Sequence, residues 1–231
     1  MLPIAVLFVL ALAGPAASQS TGEPPRSEQP KKSEPPPGKG APATPPTGKG
    51  ATAPNAADPL KLNQIPETSE AKVKLLRELY ALLATAEDAE SANRISSRIE
   101  RLWSHSGSDT VTLLMERANA AMSNKKAELA LELLDRAVKL APDYPEAFNR
   151  RAFVHFTENN FAGAVGDLRR ALALDPNHYK AMDGLVQIWR EVGNKRGAYY
   201  VLKQLVDVHP FWAGAKQVLE ELKKEVEGQD I

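Results

Sequence analysis

Three prolines, Pro142, Pro176 and Pro210, stand thirty-four residues apart in this chain. Self-similarity at a fixed period of about 20–50 residues confines a chain to stacked supersecondary units, because each unit buries its apolar face only against its neighbours. With Val111, Pro145 and Tyr179 taken as first residues, the agreement runs well beyond the prolines. The fourth position is Leu114, Phe148 and Met182, and the eighth is Ala118, Ala152 and Val186. The twentieth is alanine at 130, 164 and 198, the twenty-fourth is leucine at 134, 168 and 202, and the twenty-seventh is Ala137, Ala171 and Leu205.

Two helices per unit account for these offsets. Leu129, Leu133, Leu134, Ala137 and Val138 recur at three- and four-residue steps, which lays one apolar stripe along a helix. Small residues at the eighth and twentieth positions let two helices approach closely, and the proline ends the second helix. Asn124, Asn160 and Asn194 stand where a side-chain oxygen can cap each second helix. Asp143 and Glu146 have capping-box spacing around Pro145.

This pattern resembles the tetratricopeptide repeat (TPR) family over about a hundred residues. Small residues and proline match in all three units. The aromatic positions match less well, with Ala121, His155 and Trp189 at the eleventh position and Arg117 and Arg151 before Leu185 at the seventh; these read as local wear. The resemblance implies an all-α, right-handed solenoid whose first helices line a concave groove. The soluble part further resembles short exported bacterial TPR proteins, through Leu102-Trp103, Ser106-Gly107-Ser108 and Ala141-Pro142-Asp143-Tyr144.

Five segments follow. Residues 1–18 read as a secretory signal: an apolar run from Leu2 to Leu12, then Ala16-Ala17-Ser18 as the cleavage site, with no Lys or Arg before the run. The run falls short of the about 20 residues that span a bilayer. Residues 19–66 read as a disordered linker rich in Pro, Lys and Gly, with too few large apolar residues to offset its ordering entropy. Residues 67–108 read as a degenerate leading hairpin that caps the open end of the stack, with Ser69 as helix cap and Val73, Leu75, Leu76, Leu79, Leu82 and Leu83 at helical spacing. Residues 109–212 are the three units, and 213–231 a terminal capping helix and tail.

Chemistry-bearing clusters are scarce. The chain has no cysteine, which removes disulfides, thiolate ligands and cysteine nucleophiles. Its 29 basic and 29 acidic residues balance, so there is no general pull toward nucleic acid. His155 and Glu158 share a helix face, but His155 occupies a position that packs in the family, and no second ligand pair accompanies it. No phosphate loop or nucleophile elbow occurs. The expectation is therefore no catalytic residue, no metal and no cofactor.

A surface is the better candidate. The resemblance places Asn119 and Met122, then Asn149, Phe153 and Phe156, then Lys180, Gln187 and Arg190 on the groove, with Arg150 beside them. Phe153 and Phe156 read either as anchors for a peptide side chain or as packing against neighbouring helices. One subfamily clamps a terminal carboxylate with five residues; the matching positions are Met115, Asn119, Arg150, Lys180 and Gly184, of which only Asn119 and Lys180 have the required type. Looser capture of an acidic segment by Arg150, Lys180 and Arg190 stays open. The expectation is an exported, non-enzymatic scaffold, in a bacterial periplasm, that binds a protein or peptide partner. A membrane-tethered assembly factor is the alternative, an envelope hydrolase a remote one, and pairing through an uncovered solenoid end a further property.

Overall fold

The computed structural model describes residues 65–228. The signal and nearly all of the linker lie outside the described residues. Nine helices and no strand occur among the residues described: α1 (Ser69–Ala84), α2 (Ala89–Ser104), α3 (Asp109–Ser123), α4 (Ala127–Leu140), α5 (Pro145–Thr157), α6 (Phe161–Leu174), α7 (Tyr179–Glu191), α8 (Lys195–Val208) and α9 (Ala215–Glu227). Helices α3 to α8 form three antiparallel pairs, and each pair packs on the next through α4–α5 and α6–α7. This is an all-α solenoid. The small and apolar residues that carry the period are buried, including Ala130, Ala164 and Ala198, each fully covered.

The turns repeat as faithfully as the helices. Within each unit a residue with positive φ follows the first helix: Lys125 at 56°, Asn159 at 58° and Gly193 at 74°. The next N–H then reaches back to the carbonyl five residues earlier to close the turn, in Lys126 to Ala121, Asn160 to His155 and Asn194 to Trp189, at 2.9, 2.8 and 2.7 Å. Between units the N–H groups of Tyr144, His178 and Trp212 bond to the carbonyls of Ala141, Asp175 and His209 at 3.2, 3.1 and 3.0 Å.

Several expected caps move. Asn160 and Asn194 cap α6 and α8, accepting from the N–H of Gly163 and Gly197. Glycine at those two positions leaves room: an added Cβ would stand 2.8 Å and 2.7 Å from the capping amide. Asn124 does not cap α4. It lies two residues before the equivalent position, which is Lys126, and instead ends α3 with its amide donating to the Ala120 carbonyl. Thr68, not Ser69, caps α1. Asp143 and Glu146 form no capping box: Tyr144 precedes α5 without a side-chain cap, and Pro145 supplies the preset first turn.

The leading hairpin is also displaced from its expected seat. Its main packing is against α8 and α5, and its apolar side chains share one cluster with α7, α8 and α9. It therefore lies along the edge where second helices turn into first helices, rather than stacking on the first unit. The last helix starts later than its apolar pattern suggests, because Gly214 adopts a left-handed conformation before Ala215. Trp212 is left in the turn, where its indole N–H donates to Asp183 at 3.1 Å.

Candidate functional site: the inner face of the first helices

Helices α5 and α7 touch, so the first helices of the second and third units lie side by side, and the repeat carries α3 into the same series. Equal offsets then become rows across the inner face. The row nearest the helix starts is Thr112, Glu146 and Lys180; the next is Met115, Asn149 and Asp183. Further along come Asn119, Phe153 and Gln187, then Met122, Phe156 and Arg190.

The first two rows are committed to the fold. Glu146 is buried and accepts from Arg150 at 2.7 Å and Asn149 at 3.0 Å, with the His178 Nε2 3.2 Å away. Burial disfavours its charge, but the Arg150 guanidinium and His178 outweigh that and hold the carboxyl well below the usual carboxylate range. His178 Nδ1 accepts from the Ala181 N–H, which leaves Nε2 as the nitrogen that donates, facing Glu146. Lys180 pairs with Glu100 of α2 at 2.8 Å. Met115 is buried in the core. Burial raises the Asp183 carboxyl, and the donated bonds from Trp212 and Gln187 only partly offset it.

What holds the hairpin there is a cluster that sequence reasoning missed. Trp103 stacks on His178 with ring centres 3.8 Å apart and planes 4° from parallel. Its indole N–H is shared between the Tyr80 hydroxyl and Asp175 at 3.1 and 3.2 Å, and Tyr80 donates to the same Asp175 oxygen at 2.6 Å. Tyr144 donates to the Trp103 carbonyl, and Tyr179 to Glu100. Burial pushes the Tyr80 hydroxyl far up, and Asp175 beside it adds to the shift. Burial likewise lowers the Lys72 ammonium, against Asp143 and Asp175. A signal was available: Tyr144, His178 and Trp212 share one repeat offset, an aromatic row at the turns.

The two outer rows hold no fully buried residue, although Gln187 donates to Asp183. Asn119, Phe153 and Gln187 are all half-buried, an aromatic ring between two amides. Met122 and Phe156 pack partly on the core, Phe156 with its ring 5.8 Å from that of Phe161. Arg190 is exposed at the end of α7. Arg150 and Lys180, expected on the groove, have their charges paired with Glu146 and Glu100. The five-residue carboxylate clamp is therefore not assembled.

Two departures from the family pattern acquire structural roles. Arg151 bridges Asp135 of the preceding unit at 2.7 Å and Asp167 of its own at 2.6 Å, which is a joint between units rather than wear. His155 places Nδ1 3.2 Å from the Asn160 amide nitrogen and Nε2 3.9 Å from Asp167. Among the described residues no three His, Asp or Glu side chains gather as a metal site.

Residues 145–178 match the tetratricopeptide repeat family. A TPR repeat-containing protein of Rhizobium etli is 31% identical over 180 residues, which is 77% of this chain and 88% of that protein. The chain belongs to the tetratricopeptide repeat family. Rat sperm-associated antigen 1 is 34% identical over 89 residues, only 10% of its own length. Among solved structures, the Sgt2 TPR domain of Aspergillus fumigatus has a TM-score of 0.48 at 23% identity, covering 53% of this chain and 83% of that one. The MamA protein has a TM-score of 0.47 at 19% identity, covering 69% and 84%.

Proposed function

We propose that this TPR protein is a non-enzymatic scaffold that holds an extended segment of a partner protein on the outer half of its inner face. The row Asn119, Phe153 and Gln187 carries the reading. Amide side chains can both donate to and accept from the backbone of an extended peptide. A half-buried ring between them offers a flat apolar seat for a side chain, the kind of position where binding energy concentrates. Arg190 at the end of the neighbouring row selects for a carboxylate on the bound segment. Membership of a repeat family whose scaffold serves many unrelated binding roles supports this class of function without naming the partner.

The leader read from residues 1–18 supports export to a bacterial periplasm, and the Pro-rich segment after it supports a spacer role. An uncleaved leader would instead tether the array to a membrane, and the intact mass of the exported protein separates the two. The groove is tested by placing a photo-crosslinking residue at 153 in living cells and comparing capture by Gln187→Ala and Arg190→Ala. One protein should crosslink, and each variant should weaken it about fivefold or more. A partner captured equally by all variants would overturn the groove assignment.

A further inference from the structure

In the second and third units the residues that meet the preceding unit are sealed: Ala147, Val154, Ala181 and Ile188 are at most 1% exposed. Their counterparts one period upstream are Leu113 and Ala120 on α3. Leu113 is 47% exposed, and Ala120 is exposed as well. On α4, Leu129 is 44% and Leu140 60% exposed. Arg136 belongs to the same face, because its counterpart Arg170 reaches back to the Pro142 carbonyl of the preceding turn at 2.9 Å. Helices α3 and α4 thus present a finished unit-to-unit docking face. The hairpin that precedes them in sequence is seated elsewhere, along the turns.

We infer that this face pairs with the same face of a second copy, α4 lying antiparallel to α4 about a two-fold axis near residues 134–135. Leu129, Leu133, Arg136 and Leu140 follow one another at steps of four, three and four, the spacing of a helix-pairing seam. Reversed on itself, the seam sets Leu129 against Leu140 and Leu133 against the stem of Arg136. It also brings Glu132 beside the opposite Arg136, so the charge pattern is complementary to its own inverse. A head-to-tail arrangement would need the far end of the array, and there α9 already buries Ala215 and Leu222 against the third unit. The contact is therefore isologous and closes at two copies. A face of two helices, each about 20 Å long, lies at the small end of specific interfaces, so the pair exchanges with monomer at micromolar concentration.

The absence of native cysteine makes the test direct. In the full chain, Leu129→Cys/Leu140→Cys should give a disulfide-linked dimer of twice 25.1 kDa under mild oxidation, and each single variant much less. The two positions are about 16 Å apart along one helix, too far to bridge internally. In sedimentation equilibrium, Glu132→Arg and Arg136→Glu should each weaken association about fivefold, and the combined reversal should restore it. All these positions are exposed, so unchanged thermal melting of each variant shows that the fold is intact. A wild-type chain that stays monomeric at about 100 µM, where an interface of this size should associate, would overturn the inference. So would a dimer indifferent to both reversals, or single cysteines that crosslink as well as the pair.

Discussion

The core inside the repeat units is largely alanine, leucine and valine, set at one period and buried by neighbours a few residues to one unit away. The core under the α1–α2 hairpin combines aliphatic residues with Tyr80, Trp103 and Tyr179, and is fastened at its edge by Asp175, His178, Glu100 and Lys180. The first depends on shape and repetition. The second depends on a few aromatic and charged partners, each of which occurs once. A stack of near-identical joints loses stability by increments, whereas a single keyed contact is made or lost as a whole.

That contrast can be broken most sharply at Trp103. Trp103→Ala should cost about 3–5 kcal/mol at the hairpin contact. Helicity should fall only by the share that α1 and α2 supply, and denaturation should divide into two transitions. Leu134→Ala, inside the first unit, should cost about 2–5 kcal/mol and shift the unfolding of the array itself. Equal loss of helix in both variants would mean that the two cores are one cooperative unit.

Glu146→Ala comes next. It leaves the half-buried Arg150 without its carboxylate, and removing one partner of such a pair costs up to about 3 kcal/mol. Since the folded carboxyl is held below its unfolded value, its contribution is complete above the ordinary carboxylate range. That contribution is lost only as pH falls through the depressed folded value. Wild-type protein should therefore keep the hairpin seated at pH 4, which tryptophan fluorescence from Trp103 would report.

Smaller effects test the turns. Asn194→Ala should cost about 1 kcal/mol in chemical denaturation, while Asn124→Ala should be nearly neutral, because only the former caps a second helix. The smallest effect lies at His209, buried against Tyr179 and Trp212. Burial holds its imidazole below the ordinary 6.5, against a weaker pull from Glu100. The neutral ring is the folded form, so stability is full above 6.5 and declines as pH falls below it. His209→Phe should flatten the melting temperature across that window.

How much of this was readable from the residues depends on distance along the chain. The three units and their small-residue contacts were legible, since each position is written three times. Asn124 resembles a cap in residue type alone; the period points to Lys126 instead. The pairing of Arg150 with Glu146 was within reach, four residues apart on one helix. The pairing of Lys180 with Glu100, and of Trp103 with His178, was not, because no period relates a hairpin to residues about 75–80 positions later. Arg151 departs from the repeat pattern in sequence, and only the fold brings its two aspartates, in adjacent units, to it.

Tyr80 and Asp175 are 95 residues apart in sequence. A ribosome adding about 5–20 residues per second completes that interval in roughly 5–20 s. Throughout it the nascent hairpin has been made but its berth has not, so Leu75, Leu79 and Leu83 have only the residues of their own hairpin to rest against. Among the described helices the first to be synthesised are thus the last to settle, and the growing polypeptide needs shielding from aggregation for the whole of that wait.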